Sequence, residues 1–443
     1  MQGCVITKWL LVGVAMAGAL RAFAGCSGSE SSSDGSDPNG AEPTVVRSEL
    51  ARNEQPEVSS EDQATLASDN AAFACALYAE VRADPGNLVA SPHSISTALA
   101  MTYAGAHGIT AEGMATALHY TLPQERLHAA FNRVDLDLAA RFDGVTLENG
   151  DPAVLRIANS LWAAEQLVVH SDFLDVLAVN YGAGVGILDF ATDFDGAREV
   201  INGWADEQTE HRIPELLPDG ALDEYTKLLL VNAIYLHAPW AHPFGANQTF
   251  PDTFRVDDGT EVTVDMMHQT EQFEYLAADG FQAVRLPYAG GNVSMWILLP
   301  DTGRFSEFEA GFDPSRLEMV GEGLETVLVS LTLPKFHVLT ELTLKEDLSE
   351  LGMGVAFTDD ADFSAMCADP LKIDNVYHDA DIRVDEAGTE AAAATAVVMV
   401  DAGVAPIDED PVEVTVDRPF VFVLRDEPTG AILFMGRVTD PSQ

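Results

Sequence analysis

The sequence predicts an α+β fold, carried by one continuous domain from about residue 65 onward. Three observations lead there. Apolar residues near the start recur at helical spacing, strand-like apolar runs multiply toward the end, and no second Pro/Gly/Ser-rich break separates the two regions. Early helices followed by late strands pack as helices around antiparallel sheets. At 443 residues and 47% hydrophobic composition, the chain can bury a large core.

The elements follow in chain order. In "DQATLASDNAAFACALYAEVRA", Phe73, Leu77, Tyr78 and Val81 fall on one helix face. "NLVASPHSISTALAMTYAGA" passes from an extended apolar piece through Ser91-Pro92 into a helix of small residues. "YGAGVGI" carries spaced glycines, but no helix with phosphate-facing amides follows, so it reads as the start of a strand and not as a nucleotide loop. "TKLLLVNAIYLHAPW", "NVSMWILLPD" and "ETVLVSLTLPKF" are strands. "RPFVFVLRDEPTGAILFMGRV" is a strand, a turn at Pro428-Thr429-Gly430 and a second strand, a hairpin.

What precedes the domain is targeting. Residues 1–25 read as a signal peptide: Lys8 leads into "WLLVGVAMAGAL", too short to span a bilayer comfortably. "RAFAGC" resembles a bacterial lipobox with Cys26 as the lipidated residue; Arg21 and Phe23 depart from the pattern and leave simple cleavage as the alternative. Residues 26–64, rich in Ser, Gly and acids, read as a disordered linker. The expected location is secreted, extracellular or periplasmic, with membrane contact only through a lipid on Cys26. Cys75 and Cys367 then remain, read as buried thiols, with a single bridge left open.

Charge and missing motifs narrow the function. Lys and Arg number 23 against 71 Asp and Glu, a formal charge of −48, which repels phosphate backbones and excludes nucleic acid as a partner. There is no G-x-S-x-G elbow, no H-E-x-x-H, no P-loop and no C-x-x-C. The histidines lack metal-ligand spacing, although His242 and His268 could approach carboxylates in three dimensions. No enzyme, metal or cofactor is implied.

One stretch poses its own question. "DEAGTEAAAATAVVMVDAG" sets the helix-favouring run Ala391 to Ala394 directly ahead of β-branched Thr395, Val397, Val398 and Val400. Together with "DRPFVFVLRDEPTGAILFMGRVTDP", it resembles the hinge and C-terminal signature of the serpins. Collinear matches follow the family's order. They are "ASPHSISTALAMTYAGA", "INGWADEQTEHRIPELL", "LLLVNAIYLHAPW", "MMHQ", "LPYAGGNVSMWILLPD", "LTLPKF" and "LGMGVAFTDDADFSAM". The resemblance implies three β-sheets, eight or nine helices and an exposed reactive loop, here about residues 386–413. It also implies a monomeric protease inhibitor whose cut loop slides into the main sheet as a new strand.

Alternation explains the composition of that loop. Counting by twos, Thr389, Ala391, Ala393, Thr395, Val397 and Met399 would face the core of the opening sheet. Small side chains lead, where the strands have just begun to part, and larger ones follow, where burial adds stability. Gly388 gives the backbone freedom where the loop swings. The resemblance makes Glu386, Gly388, Thr389, Glu390, Ala391, Ala392, Ala393 and Ala394 the hinge. Its small, uncharged inward positions favour an inhibitor over a non-inhibitory binding or chaperone-like module.

The resemblance implies a reactive bond at the seventeenth residue counted from the hinge acid Glu386, here Ala402-Gly403, with Met399, Val400 and Val404 as alternatives. A small apolar residue there suits elastase-like or subtilisin-like serine proteases; a cysteine protease is the alternative target class. By the same resemblance Ser91, Ser94, Asn232 and His378 form a polar cluster where the sheet parts. Trp240 and Lys335 mark where the loop first enters, Lys335 paired with Glu386. Asp379 and Asp381 stand where the family carries basic or neutral residues more often. The segment matching the family's heparin-binding helix, "TAEGMATALHYTLPQERLHAAFNR", holds two Arg and no Lys, so no heparin-like cofactor is expected.

Overall fold

Two hydrogen-bonded sheets organise the chain. The computed structural model describes residues 44–257, 259–389 and 410–443. In the first half, strand β1 (Thr44–Val46) precedes helix α1 (Ser60–Val81), the short β2 (Leu88–Ala90), and helices α2 (Pro92–Tyr103), α3 (Gly108–Ala117) and α4 (Gln124–Ala139). Then come β3 (Val154–Ala164), α5 (Ser171–Tyr181), β4 (Val185–Leu188), α6 (Phe194–Gln208) and β5 (Leu228–Pro239). The strand-rich second half holds β6 (Thr249–Arg255), β7 (Glu261–Ala278), β8 (Phe281–Pro287) and β9 (Val293–Pro300). After α7 (Phe305–Ala310) and α8 (Pro314–Gly323) follow β10 (Glu325–Pro334), β11 (Phe336–Thr343), α9 (Lys345–Leu348), β12 (Asn375–Val384), β13 (Gly388–Thr389), β14 (Val412–Thr415) and the hairpin β15 (Phe420–Asp426) and β16 (Ile432–Val438).

Local chemistry sets these boundaries. Ser59 caps α1 by accepting from the Asp62 N–H, which satisfies one of the helix's free donors, and Phe73, Leu77, Tyr78 and Val81 are buried as their spacing predicts. Gly182 ends α5 in the left-handed region at φ 63°, and the glycine-spaced run beyond it becomes β4.

The seven-stranded sheet runs β1-β4-β3-β5-β13-β12-β11, and the nine-stranded one β14-β10-β7-β8-β9-β15-β16-β2, with β6 on β7. The resemblance implies three sheets. The described strands make two ladders because the long β7 continues from its pairing with β6 into its pairing with β8, joining the second sheet to the third. The large core lies between the two sheets and under α1, α2 and α4. A smaller one sits on the outer face of the seven-stranded sheet, where Ala197, Ile201 and Ala205 of α6 cover Val231, Ala233 and Tyr377. Asn202 pins α6 there by both donating to and accepting from the Leu217 backbone, and Thr209 accepts from the Ile213 N–H.

The structure changes one expectation and closes one alternative. Within the span expected as linker, 26–64, regular structure begins at Thr44, although β1 itself is exposed. There β1 pairs with the edge strand β4, and Arg52 bonds Asn132 and Asp135 of α4; the polar composition of this stretch hid partners that lie far along the chain. Cys75 and Cys367 are both free and buried, so the bridge left open is not made; burial pushes the Cys75 thiol up to about 12.

Candidate functional site

The site is a seam in the seven-stranded sheet. Over Asn375–Ala380, β12 lies parallel and directly beside Leu229–Ile234 of β5. Higher up, the two strands diverge and β13 fills the gap, antiparallel to both: Gly388 pairs with Pro239, Thr389 with Ala238, and Thr389 with Val384.

A tight turn feeds β13 into this gap. Asp385 accepts from the Ala387 and Gly388 N–H groups at 2.9 and 3.3 Å, and its own N–H donates to the Gly388 carbonyl. The turn hangs on neighbouring chain: Trp240 Nε1 donates to the Asp385 carbonyl, the Trp240 N–H to that of Ala387, and the Phe244 N–H to that of Glu386. Gly388 is required by close approach. A Cβ there would overlap the Ala238 carbonyl oxygen and lie 2.7 Å from Pro239 Cα.

Side chains complete the anchorage. Lys335 Nζ lies 2.9 Å from Glu386, whose other oxygen accepts from Thr249 Oγ1 at 2.8 Å. Burial would raise the Glu386 carboxyl, but the bonds from Lys335, its own backbone N–H and Thr249 outweigh this and hold it below the usual range. Thr389 is 1% exposed, and its hydroxyl meets the Tyr288 hydroxyl at 2.5 Å. Tyr288 stacks on Trp240 with ring centroids 4.4 Å apart.

Below the gap, a polar chain ties the closed strands together. Asn159 of β3, Asn232 of β5 and His378 of β12 stand in register across three neighbouring strands. His378 Nδ1 and Asn232 Oδ1 are 2.5 Å apart, and Asn232 Nδ2 donates to both Ser94 Oγ and Asn159 Oδ1. The Ser91 N–H donates to His378 Nε2 at 2.9 Å, which fixes the imidazole proton on Nδ1. Burial pulls His378 down to about 3, so the cluster is neutral at physiological pH. Ser91 acts here through its backbone, since its Oγ is buried without a hydrogen-bond partner among the described residues.

The structure thus brings Ser91, Ser94, Asn232 and His378 into one network, and Trp240, Lys335, Glu386, Gly388 and Thr389 into another. Glu390, Ala391, Ala392, Ala393, Ala394, the reactive bond Ala402-Gly403, its alternatives Met399, Val400 and Val404, and Cys26 lie outside the described residues. Sequence reasoning missed Asn159 and Tyr288. A polar side chain between inward-facing Ile157 and Leu161 is the signal that could have flagged Asn159. His242 and His268 serve packing: His242 meets the Phe273 ring edge-on, and His268 bonds Thr332.

A family model described as "Serpin (serine protease inhibitor)" matches residues 68–441. An uncharacterized serpin-like protein of Thermococcus kodakarensis is 36% identical over 371 residues, covering 83% of this chain and 84% of its own length. The leukocyte elastase inhibitor of Homo sapiens is 34% identical over 390 residues, covering 85% and 99%. The native state of the thermophilic serpin tengpin superposes with a TM-score of 0.78 at 26% identity, covering 90% of this chain and 100% of its own.

Proposed function

The chain belongs to the serpin family, and from that premise we propose that it is an irreversible, suicide-type inhibitor of serine proteases. The observation that carries this reading is β13: Gly388 and Thr389 already stand as a strand between β5 and β12. Continued one residue at a time, their register sets Ala391 between Leu236 and Ile382. Ala393 then falls between Ile234 and Ala380, Thr395 between Asn232 and His378, and Val397 between Leu230 and Val376. Every flanking side chain in that series is buried, so the incoming residues must be small or apolar, as they are.

The driving force follows from the same pairing. Insertion replaces one parallel β5–β12 contact by two antiparallel ladders, which pair slightly better and add backbone hydrogen bonds. Val397 and Met399 contribute about 1.5–3 kcal/mol each once buried. The opposing barrier is the Asn232–His378 contact, which parts as Thr395 arrives with a hydroxyl able to pair both.

In this mechanism a protease attacks Ala402 and its own serine forms the acyl bond. The freed loop inserts and carries the tethered protease about 50 Å, at roughly 3.3 Å per residue. There its site is distorted before the ester can be hydrolysed. The inhibitor supplies no catalytic group. Similarity to leukocyte elastase inhibitors and the small Ala402 support an elastase-like or subtilisin-like target. The signal-like residues 1–25 and Cys26 support export with a lipid tether. Incubation with an elastase-like protease should yield a complex that survives boiling in detergent. Clean turnover of the loop, with protease activity fully retained, would rule inhibition out.

A further inference from the structure

The helix that covers the seam ends in a strained turn. On the outer face of the sheet, Ile201 and Ala205 of α6 and the following Leu216 and Leu217 pack with Val231 and Ala233 of β5 and Tyr377 of β12, and the Tyr377 hydroxyl donates to the Ala221 carbonyl. Val231 and Tyr377 are register partners across the closed seam. A strand entering between them moves them apart by about 4.8 Å. One cover cannot keep both contacts, so α6 has to give way.

Side chains hold the end of α6 where glycine would ordinarily serve. Thr209 caps the helix, and the His211 N–H donates to the Asp206 carbonyl, a closure that usually sets a glycine in the left-handed region. Glu210 and His211 stand there instead, at φ 50° and 65°, a conformation disfavoured for any residue with a Cβ. Two polar clamps offset the strain. His211 Nδ1 lies 2.6 Å from Asp206 Oδ2. From β3, Arg156 pairs with Glu210 at 2.8 Å and donates to the Glu207 and Gln208 carbonyls.

We propose that His211 is a pH-responsive catch on the seam: protonated, it fastens the end of α6 across β5 and β12, and on losing its proton it lets that end lift, so the seam parts faster in alkaline than in mildly acidic solution. The effect on the seam rests on the loop-insertion reading above; the catch itself does not. Imidazolium makes a charge-assisted bond to Asp206, and neutral imidazole makes a weaker one. The Asp206 hydrogen bond first, and its charge second, raise His211 above its ordinary 6.5. The support from this pair is therefore complete below about pH 6.5 and fades as pH rises through the raised value. Around the ring stand Asp206, Glu207 and Glu210 from α6 and its turn, Arg212 next in the chain and Arg156 from β3. His237 of β5, lowered by burial first and Arg212 second, adds no charge where the catch releases. Because the His211 ring is exposed, the opening equilibrium should change by about two- to fivefold.

Hydrogen exchange of the intact full-length protein tests this, read at the amides of residues 203–208 as protection factors, so that the intrinsic pH dependence of exchange divides out. From pH 5.5 to 8.5, protection in the parent should fall about two- to fivefold. It should stay flat in Asp206→Asn and in His211→Asn, whose new side chain tolerates the left-handed backbone without titrating. With an elastase-like protease, the parent should leave more cleaved product relative to complex than His211→Asn at pH 6, and the same at pH 8. The protease's own pH dependence is common to both. Flat protection in the parent, or an equal fall in both variants, overturns the catch. Titrating protection with matching product ratios at every pH overturns its hold on the seam and leaves the inhibitor reading standing. Absence of any complex from either protein overturns the inhibitor reading and the hold on the seam together.

Discussion

Replacing Asp379 by Asn should remove a loss of native-state stability that grows with pH. Asp379 lies on β12, two residues beyond Tyr377 on the face that α6 covers, and is 3% exposed. Its register partner on β11 is Glu341 and on β5 Ala233. Burial first, and the Glu341 carboxylate second, push it up to about 8 from an ordinary 3.8. Between those values the folded chain holds a proton on Asp379 that the unfolded chain has released, so this group's contribution to stability falls as pH rises, by about 1.4 kcal/mol per unit. The loss levels off above about pH 8, where the folded state ionises as well, and totals on the order of 5 kcal/mol.

Asn has the same shape and never ionises. The variant should therefore match the parent near pH 4 and exceed its stability by several kcal/mol at pH 8. The assay is thermal melting of intact parent and variant from pH 5 to 8.5 at one scan rate, since a kinetically held native state makes melting rate-dependent. His93, His128 and His378, buried and held neutral, destabilise the fold as pH falls below about 6.5. They are common to both proteins and cancel in the difference. Parallel melting curves across the range would refute the reasoning.

Three further substitutions probe the seam. Thr389→Arg puts a charge where a buried hydroxyl meets Tyr288, a placement that costs roughly 3–5 kcal/mol when nothing pairs it; gel assays should show cleaved protein in place of the protease complex. Asn232→Ala leaves His378 Nδ1 and Ser94 Oγ short of partners at a cost of about 1–3 kcal/mol. It should lower the melting point of the intact form more than that of the cleaved form, where the proposed insertion would bring the Thr395 hydroxyl to His378. Gly388→Ala forces β13 off the Ala238 backbone; stopped-flow kinetics should show slower complex formation with an unchanged first cleavage rate, and an unaltered inhibition rate would count against early insertion.

Much of this architecture was legible along the chain. The helix at Phe73 to Val81, the strand through Asn232 and the closing hairpin follow from apolar periods and a Pro-Thr-Gly turn, properties of neighbouring residues. The inward facing of Thr389 was legible for the same reason, because a strand alternates whatever its neighbours are. Less was legible where partners lie far apart. Residues 44–59 looked like linker because their composition is polar, and their partners on β4, α4 and α5 lie far along the chain.

The sequence by itself determined which segments favour helix or strand, the strong negative charge, and a run after Thr389 whose alternate positions are small and then large. Tertiary structure alone decided that Asn159, Asn232 and His378 share one row, that Tyr288 meets Thr389, and that Asp379 is buried beside another carboxylate. Conformational preference is written in contacts a few residues long. Which strand lies beside which is set by packing energy shared over the whole core, and no local stretch carries that information.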